Sequence, residues 1–429
     1  MSILRSLTIG VSGLRSNSEA LTVTGDNIAN VNTVGFKRNR AVFADMIAGQ
    51  TGPVNLSQSG ARLAHVQQIW QQGAIVTTDS PTDLAISGDG VFVLAGTMQG
   101  LEGRFYTRAG QFHFDDTGTL VNLDGLRLQG YTAEDNGTMG TVVGDIVIED
   151  RTVAGVATSS IEIGANLNSD DLVPAAWDPT NPSETSNFAH NVTVYDSLGA
   201  SHELTVYYRK SGAGAWEWHA MADGGELTGG TAGTATEVGA GTLAFTTNGA
   251  LDQETITNPG PIDWLDATPG QTIDFNFGTS ITGEGGTGLD GVTQFANRSA
   301  HVKLQQDGYG AGTVAAIEIE RDGTITGVFS NGQQRRLGQV VTAGFADFSG
   351  LRALSNNVWV ETPESGQALI GGADAGGRGE IVSASLEQSN VDLGTEFVNL
   401  IAYQRGFQAN SRVITTSDEM YSELVNIKR

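Results

Sequence analysis

Cysteine is absent from this chain of 429 residues, and long apolar runs are absent as well. Without a thiol the chain can form no disulfide, no cysteine-based zinc site and no cysteine nucleophile. No apolar run approaches the roughly 20 residues that a membrane-spanning helix needs, so no membrane span is expected. Residues 1–14 also lack the pattern of a secretory signal peptide. If the protein is exported, we therefore expect a route that cleaves no such peptide, and stability that comes from burial and assembly.

Basic side chains are scarce: 23 Lys and Arg stand against 48 Asp and Glu, which gives a formal net charge of −25. Phosphate neutralisation needs clustered Lys and Arg, so this balance argues against a nucleic-acid partner. Residues 1–40 contain five basic and two acidic side chains, and residues 390–429 contain four and five, so the excess acid lies between them. Either the middle is a solvated body whose ends are reserved for contacts, or the whole proteome of the source is acidic.

Residue patterns typical of enzymes and metal sites are also missing. No two of the six histidines are four residues apart, so the helix of a zinc protease is absent. The segments 115–118 and 321–324 lack the further carboxylates of a calcium loop, so they are predicted to be hairpin turns. The sequence thus predicts no catalytic, cofactor-binding or metal-binding residue and a protein that is not an enzyme. A carboxylate pair, or a site assembled from distant strands, stays open.

Both ends of the chain carry an apolar residue at every seventh position. The columns are Leu7, Leu14, Leu21 and Ile28 at one end, and Leu393, Leu400, Phe407, Ile414 and Tyr421 at the other. A strict heptad repeat keeps one seam against another helix and is typical of a left-handed coiled coil. Each seam is one column wide, which is too narrow for an ordinary globular helix. We therefore predict helices over residues 1–28 and 390–429 that pair with each other or with neighbouring subunits, and we predict these columns to be the assembly seam.

The middle of the chain is typical of β structure. Alternating apolar and polar residues predict strands at 191–195, 203–208, 215–219 and 316–320. The Gly- and Thr-rich stretch 226–242 is predicted to be a flexible loop. A polar, proline-containing tract at 168–187 and a glycine-rich tract at 283–291 mark candidate boundaries. The outer segments would then close one β domain, into which roughly residues 146–284 are inserted as a second.

Several motifs near the two ends of the chain are distinctive. They are Ser12-Gly-Leu14, Ile28-Ala-Asn-Val-Asn-Thr-Val-Gly-Phe-Lys37, Leu386-Glu-Gln-Ser-Asn-Val-Asp-Leu393 and Gln404-Arg-Gly-Phe-Gln-Ala-Asn410. Together they resemble the motifs of one family, the axial proteins of the bacterial flagellum. In the middle, Val194-Tyr-Asp-Ser-Leu-Gly199, Gln306-Asp-Gly-Tyr309 and Phe329-Ser-Asn-Gly-Gln333 are similar to the hook branch of that family. A distal rod protein or another flagellar axial protein is the alternative.

The resemblance implies a mixed fold, in which N- and C-terminal α-helices pair as a coiled coil and two mainly-β domains lie between them. The outer β domain is expected to be inserted in the inner one. The implied parts are a helical coiled-coil domain (1–30 and 390–429), a connecting region (31–71 and 360–389), an inner β domain (72–145 and 285–359) and the outer β domain (146–284).

The same resemblance implies a structural subunit of the flagellar hook, which assembles with itself into a flexible tube and transmits motor torque from rod to filament. The implied partners are further copies of the chain, the distal rod protein, the hook cap, the hook–filament junction proteins and the flagellar export apparatus. The implied location is extracellular, in the hook of the basal body, and no cofactor is expected. An enzyme built on the β domains and a surface adhesin or glycan-binding module are the competing functions. An adhesin would not need helical seams at both ends.

Overall fold

The computed structural model describes residues 3–48, 57–134, 137–148, 152–258 and 260–427. They fall into two compact units. The first unit comprises residues 1–149, 316–328 and 334–429, and the second comprises residues 150–315 and 329–333. No helix in the described ranges combines the length and the hydropathy needed to cross a membrane.

The chain forms two long helices, two short ones and 28 strands over the described ranges. The helices are α1 (Ile3–Ala29), α2 (Pro182–Thr185), α3 (Ile281–Glu284) and α4 (Leu393–Ile427). The strands up to residue 145 are β1 (Asn39–Ala48), β2 (Ser57–Gln68), β3 (Ile75–Thr77), β4 (Leu84–Ser87), β5 (Val91–Met98), β6 (Leu101–Thr107), β7 (Phe112–Phe114), β8 (Leu120–Asn122), β9 (Arg127–Ala133) and β10 (Met139–Asp145). Those that follow are β11 (Thr152–Val153), β12 (Ser160–Asn168), β13 (Phe188–Tyr195), β14 (Ser201–Gly212), β15 (Ala215–Asp223), β16 (Ala235–Phe245), β17 (Leu251–Asn258), β18 (Asp274–Asn276), β19 (Thr293–Phe295) and β20 (Ala300–Gln306). The last are β21 (Gly312–Ile319), β22 (Thr324–Phe329), β23 (Gln334–Gly344), β24 (Arg352–Ala353), β25 (Val358–Val360), β26 (Leu369–Gly372), β27 (Glu380–Ser383) and β28 (Ser385–Glu387).

The first unit is built around a large antiparallel sheet with the strand order β22-β23-β9-β5-β6-β25-β24. Its central strand β5 begins with the run Val91–Leu94, which is buried on both faces. A strand covered on both sides needs apolar residues at successive positions, and this run supplies them. Two short ladders, β27 with β4 and β28 with β3, tie the segment before α4 to the start of this β domain.

The second unit contains a five-stranded antiparallel meander, β13 to β17, and a smaller sheet centred on β12. The two sheets share one core, whose largest members are Trp216, Trp218 and Trp264. Strand β12 pairs in parallel with β18 and β19 and antiparallel with β20.

The predicted mixed fold of terminal helices and a β-rich middle is confirmed, and all four predicted strands are present. The predicted loop at 226–242 is wrong from residue 235 onward, where the chain forms β16. The reason is that the indole ring of Trp218 packs over the backbone of this strand. A Cβ added at Gly241 would lie 2.5 Å from the indole nitrogen of Trp218, so glycine at this position leaves room for the ring. The glycines therefore belong to a sheet and not to a loop.

The edge of the second unit differs from the predicted boundary at residue 284. Strands β19 and β20 lie beyond that residue and pair with β12, and the unit extends to residue 315. The glycine-rich tract 283–291 is an internal turn, in which Asp290 accepts hydrogen bonds from the backbone and side chain of Thr279 at 3.0 and 2.6 Å. Glycine here reflects tight local packing within one unit.

Candidate assembly surface

The two terminal helices pack against each other within the first unit. Gly10 lies against Ile414, Gly13 against Asn410, and Gly406 against Asn17. Residue numbers rise along α1 as they fall along α4, so the pair is antiparallel. The predicted pairing of the terminal helices is therefore present within one chain.

Most residues at this helix–helix contact are small or polar. Gly10, Gly13 and Asn17 of α1 lie against Ile414, Asn410 and Gly406 of α4, and Ile414 is the large apolar side chain among them. Because glycine and asparagine have short side chains, the two backbones approach closely here and little apolar area is buried. Other large apolar side chains of the two helices stay exposed in the single chain, as Val11 and Val398 do.

The hairpin formed by β1 and β2 covers a second side of α1. Ser16 donates a hydrogen bond to the carbonyl oxygen of Ala61 at 3.0 Å, and the side chain of Asn27 bonds both backbone groups of Asn39 at 2.7 and 2.8 Å. Phe43 of the hairpin meets Tyr403 of α4 edge to face, with 6.2 Å between the ring centroids. The terminal helices and the hairpin therefore form one packed group.

An open groove of about 490 Å³ runs between α1 and this hairpin. Its walls include Val11 and Arg15 of α1 and Met46 and Leu63 of the hairpin. Val11 and Met46 are both exposed. The groove is thus a partly apolar surface beside the helix pair.

A buried ion-pair cluster joins the segment after α1 to the segment before α4. The ammonium group of Lys37 lies 2.6 Å from Glu387 Oε1, and the guanidinium group of Arg108 lies 3.0 Å from Glu387 Oε2. Glu387 Oε1 also accepts a hydrogen bond from the backbone of Gly73 at 2.7 Å, and Lys37 donates to the carbonyl oxygen of Gln71 at 2.9 Å. We call Lys37, Arg108 and Glu387 the buried triad.

The charged groups of the buried triad are shielded from water. Lys37 is 1% exposed and Glu387 is fully buried. Burial lowers the pKa of Lys37, Glu387 raises it, and the nearby positive charge of Arg108 lowers it, so the net direction is down. The single carboxylate of Glu387 faces two cations, so it holds three separate chain segments in one place.

The polar residues that follow Glu387 lead the chain into α4. Asn390 accepts a hydrogen bond from the backbone of Arg38 at 2.7 Å and donates to the carbonyl oxygens of Ile69 and Gln71, both at 2.9 Å. Asp392 then caps α4 by accepting from the backbone of Thr395 at 2.6 Å. Hydrogen bonds from the side chain and backbone of Thr395 hold the pKa of Asp392 below its usual value. Sequence analysis singled out this motif but could not assign these contacts.

The predicted seam residues are divided by the structure into two groups. Half-buried positions are Leu7, Leu14, Leu21, Ile28, Leu400, Phe407 and Ile414. Exposed positions are Leu393 and Tyr421. Of these, Ile414 meets the partner helix within the chain, at Gly10.

Several other exposed apolar residues on the two helices lie outside the predicted seam. Val398 is 66% exposed, Val11 54%, Phe397 50% and Ile401 49%. Val11 and Phe397 belong to the seven-residue columns beside the seam, which also contain polar residues such as Ser18 and Gln404, so the seam prediction left them out. Val398 and Ile401 fall in neither column, so the heptad pattern missed them.

The histidines and the two predicted Asp turns have local structural roles. His202 and His219 each contact a glutamate, at 2.9 and 2.8 Å, and each stacks on a tryptophan ring. Asp115 accepts two backbone hydrogen bonds at 2.9 Å within its turn, which confirms the predicted hairpin turn. Within the described residues, no group of three or more His, Asp or Glu side chains is arranged to hold a metal ion.

Four family models match the chain, and all of them describe flagellar proteins. The flagella basal body rod protein model matches residues 7–37, and the flagellar basal body rod FlgEFG protein C-terminal model matches residues 382–427. Between them, the flagellar hook protein FlgE/F/G D1 domain matches residues 85–166, and the flagellar basal body protein FlaE D2 domain matches residues 166–309. The matches to the two ends contain both members of the Lys37–Glu387 ion pair.

Curated relatives match over the full length of the chain. The flagellar hook protein FlgE of Salmonella typhimurium is 36% identical over 99% of this chain and 100% of its own length. Those of Treponema pallidum and Escherichia coli are 34% and 35% identical, and the alignments cover 100% and 97% of this chain and 100% and 98% of those proteins. The crystal structure of the Helicobacter pylori flagellar hook protein FlgE2 shares the fold, with a TM-score of 0.50 and 15% identity over 73% of this chain and 100% of that chain. The chain belongs to the flagellar hook protein family.

Proposed function

We propose that this chain is the structural subunit of a flagellar hook and polymerises with copies of itself into a flexible tube. The observation that carries the proposal is the apolar surface of the terminal helices. Val11, Phe397, Val398 and Ile401 are all about half exposed or more in the single chain. Phe397, Val398 and Ile401 lie close together near the start of α4. Large exposed apolar side chains that lie close together mark an interaction site, because their burial is favourable by about 25 cal/mol per Å².

The proposed assembly seam consists of the predicted heptad columns together with these exposed neighbours. In the single chain, α1 and α4 meet mainly through small and polar residues, and of the predicted columns only Ile414 is placed in that contact above. The other column residues are therefore available to helices of adjacent subunits. A tube whose inner wall is made of such helices would bury both columns against neighbouring chains. The heptad spacing suits this packing, because it keeps each column facing a neighbouring helix along its whole length.

In this proposal the hook acts as a universal joint, and the acidic β regions provide the contacts that allow it to bend. Repeated bending during rotation needs contacts that slide between alternatives at low cost, and polar, hydrated surfaces supply such contacts. The high content of Gly and the strong negative charge of the middle of the chain are consistent with hydrated surfaces of this kind. The division into a helical domain, a connecting region and two radially ordered β domains remains part of this proposal.

The proposed partners beyond the chain itself are the distal rod protein, the hook cap, the hook–filament junction proteins and the flagellar export apparatus. Export would place the subunit outside the cell without cleavage of a signal peptide. N-terminal sequencing of hooks sheared from cells tests this directly: an intact Met1 or Ser2 supports it, and a truncated start contradicts it. The proposed function includes no catalytic role, because the flagellar hook proteins to which the chain is similar are structural.

Electron microscopy of the purified protein, beside complementation of a strain that lacks its hook protein, tests the proposed function. Tubes in vitro and restored motility in the complemented strain are the expected results. Dispersed particles under all conditions, together with a strain that stays non-motile, would contradict the proposal. Binding to glycans by such particles would instead favour the adhesin alternative.

A further inference from the structure

Two pairs of residues on the terminal helices are arranged reciprocally across their contact. On α1, Asn17 donates a side-chain hydrogen bond to the carbonyl oxygen of Gly13, four residues earlier, at 2.7 Å. On α4, Asn410 does the same to the carbonyl oxygen of Gly406 at 2.8 Å. Each asparagine is thus held against its own helix, with the rest of its amide group directed at the partner.

Each amide packs against the glycine of the opposite helix. A Cβ added at Gly13 would lie 2.6 Å from Oδ1 of Asn410, and one added at Gly406 would lie 2.7 Å from Oδ1 of Asn17. Real Cβ atoms do not tolerate such distances, so both positions require glycine while the amides stay in place. We call Gly13, Asn17, Gly406 and Asn410 the Gly–Asn clasp.

Helix propensity alone does not account for these four residues. Glycine and asparagine are both poor residues for a helix interior, and the clasp places two of each within long helices. Other helical glycines differ in their surroundings: a Cβ added at Gly25 would have no neighbour within 4 Å, and one at Gly394 would have Asp392 Oδ1 at 3.4 Å. Gly10 is more closely packed, with Cγ1 of Ile414 at 3.1 Å, but of the glycines on α1 and α4 only the two of the clasp would bring a Cβ within 3.0 Å of the partner helix.

We propose that the Gly–Asn clasp sets the register in which α1 pairs with α4. A heptad repeat looks the same after a shift of seven residues, and small side chains in the contact do little to oppose a shift of one turn. A single polar residue in a helix seam is known to specify register in such cases. In the observed register each asparagine faces a glycine. A shift of four residues, about one turn, would bring Asn17 opposite Asn410 in one direction; in the other it would bring Asn17 opposite Ala402 and Asn410 opposite Ile9. Either shift would bring an amide against a side chain larger than that of glycine.

The register of the two helices also matters for the proposed function. The register assignment stands by itself, and only its consequence for assembly rests on the proposed function. The register of α1 against α4 decides which apolar residues of the two helices lie side by side on the outer face. Neighbouring subunits would therefore meet a defined surface only when the clasp is closed.

Engineered disulfides can report the register, because the chain contains no cysteine of its own. A Cβ added at Gly10 would lie 3.1 Å from Cγ1 of Ile414, near the position that the sulfur of a cysteine at 414 would take, so a disulfide can bridge the two positions. The native-register reporter is Gly10→Cys with Ile414→Cys, and the displaced reporter is Gly10→Cys with Asp418→Cys, one turn further along. Both are read in the full-length chain as intrachain cross-links on a non-reducing gel after mild oxidation.

We expect the native reporter to cross-link much more than the displaced reporter when the clasp is intact. With Asn17→Ala and Asn410→Ala added, the ratio of native to displaced cross-link should fall by about tenfold, which corresponds to about 1.4 kcal/mol. Alanine is a better helix residue than asparagine, so this variant does not weaken the helices themselves. An unchanged ratio overturns the proposal, and so does a parallel loss of both cross-links, because a merely structural role would lower both together.

Glycine variants provide a matched second measurement. Gly13→Ala and Gly406→Ala should lower the yield of the native cross-link, whereas Gly25→Ala and Gly394→Ala should not. Equal yields in all four variants would contradict the clasp. If the native reporter cross-links and yet the wild-type chain never polymerises, the proposed function fails while the register assignment stands.

Discussion

At the scale of single residues, the buried triad connects parts of the sequence that no local pattern links. Lys37 and Glu387 are 350 positions apart, and their side chains meet at 2.6 Å. Both lie in motifs that the family resemblance singled out, so sequence reasoning could mark them as important. It could not pair them, because a charge–charge contact leaves no periodic signal in a single sequence. The pairing is visible only once the sheet brings the two ends of the chain together.

Removing the carboxylate of the buried triad should be strongly destabilising. Glu387→Gln would leave Lys37 and Arg108 buried without a counter-ion, and we expect a loss of roughly 3–5 kcal/mol in the free energy of unfolding. Urea unfolding of the monomer measures this loss in the free energy of unfolding. The matched control is Glu19→Gln, which breaks the Arg15–Glu19 pair, whose side chains are 81% and 37% exposed. That change should stay within about 1 kcal/mol. Equal effects of the two substitutions would show that the triad contributes no more than a surface pair.

His190 should make the second unit sensitive to mild acid. Burial lowers the pKa of His190 to about 4, and His301 acts in the same direction. Neither ring nitrogen has a hydrogen-bond partner among the described residues, so the ring stays neutral in the folded chain at pH 7. In the unfolded chain its pKa is about 6.5. Between these values the unfolded state binds a proton that the folded state does not, so stability is lost as the pH falls from about 6.5 to 4.

Unfolding by urea at several pH values, followed by tryptophan fluorescence, tests this expectation. The loss over that range should be on the order of 3 kcal/mol. His190→Phe keeps an aromatic ring between Phe188 and Tyr208 and should remove most of the pH dependence. His113→Phe, at an exposed position, should leave it unchanged. A His190→Phe protein with the same acid sensitivity as the wild type would refute the assignment.

At the scale of elements, periodic segments were predictable and irregular ones were not. The heptad columns predicted both terminal helices, which the structure places at Ile3–Ala29 and Leu393–Ile427. The face on which the helices meet was not predictable, since Gly13, Asn17, Gly406 and Asn410 carry no hydrophobic signal. Strand β16 was missed for a related reason. Its glycines predict a loop when only the sequence is considered, and the packing of Trp218 over them is visible only in the structure.

The terminal helices should be the first part of the monomer to open. Their shared contact consists mainly of small and polar residues, so it holds them less firmly than the apolar cores hold the sheets. Arg405 and Arg412 of α4 are both exposed. Limited trypsin digestion should therefore cut at these residues before it cuts within the β regions, leaving a stable β core.

Assembly should reverse this sensitivity if the helices are buried between subunits. We expect the same two sites to be protected in sedimented polymer, with mass spectrometry of the released peptides as the measurement. Identical cleavage rates at Arg405 and Arg412 in monomer and polymer would contradict a buried position for α4. Cleavage of both helices and core at one rate in the monomer would contradict the weak helix contact.

At the scale of the whole molecule, the second unit should be removable as one piece. Thr152 faces Thr313 across an antiparallel ladder, so the two ends of the segment lie next to each other. Replacing residues 152–313 with a short Gly/Ser linker should leave the first unit folded, because closely spaced ends need little new loop. We expect a single cooperative melt and tubes with altered curvature.

The boundary predicted from sequence supplies the control for that excision. Removing residues 146–284 would keep β19 and β20 but delete their partner β12, which exposes unpaired strands. This variant should aggregate, whereas the 152–313 excision should stay soluble. Solubility of both, or aggregation of both, would show that the pairing of β12 does not define the unit.

The central claim is that the apolar columns of the terminal helices serve assembly and not the stability of the single chain. Leu14 and Leu400 are half-buried in the monomer, so a carboxylate at either position can still reach water. Within a tube the same group would be desolvated against a neighbouring helix, at a cost of several kcal/mol. Gln404→Glu, at an exposed polar position on α4, is the matched control.

The most direct measurement is the thermal melt of monomeric Leu14→Glu and Leu400→Glu beside a sedimentation assay for polymer. The account predicts a monomer Tm within about 2 °C of the wild type, polymer that no longer sediments, and a Gln404→Glu control that still polymerises. A monomer Tm lowered by many degrees would assign the columns to the core of the single chain. Leucine variants that polymerise as well as the wild type would contradict the assembly seam outright.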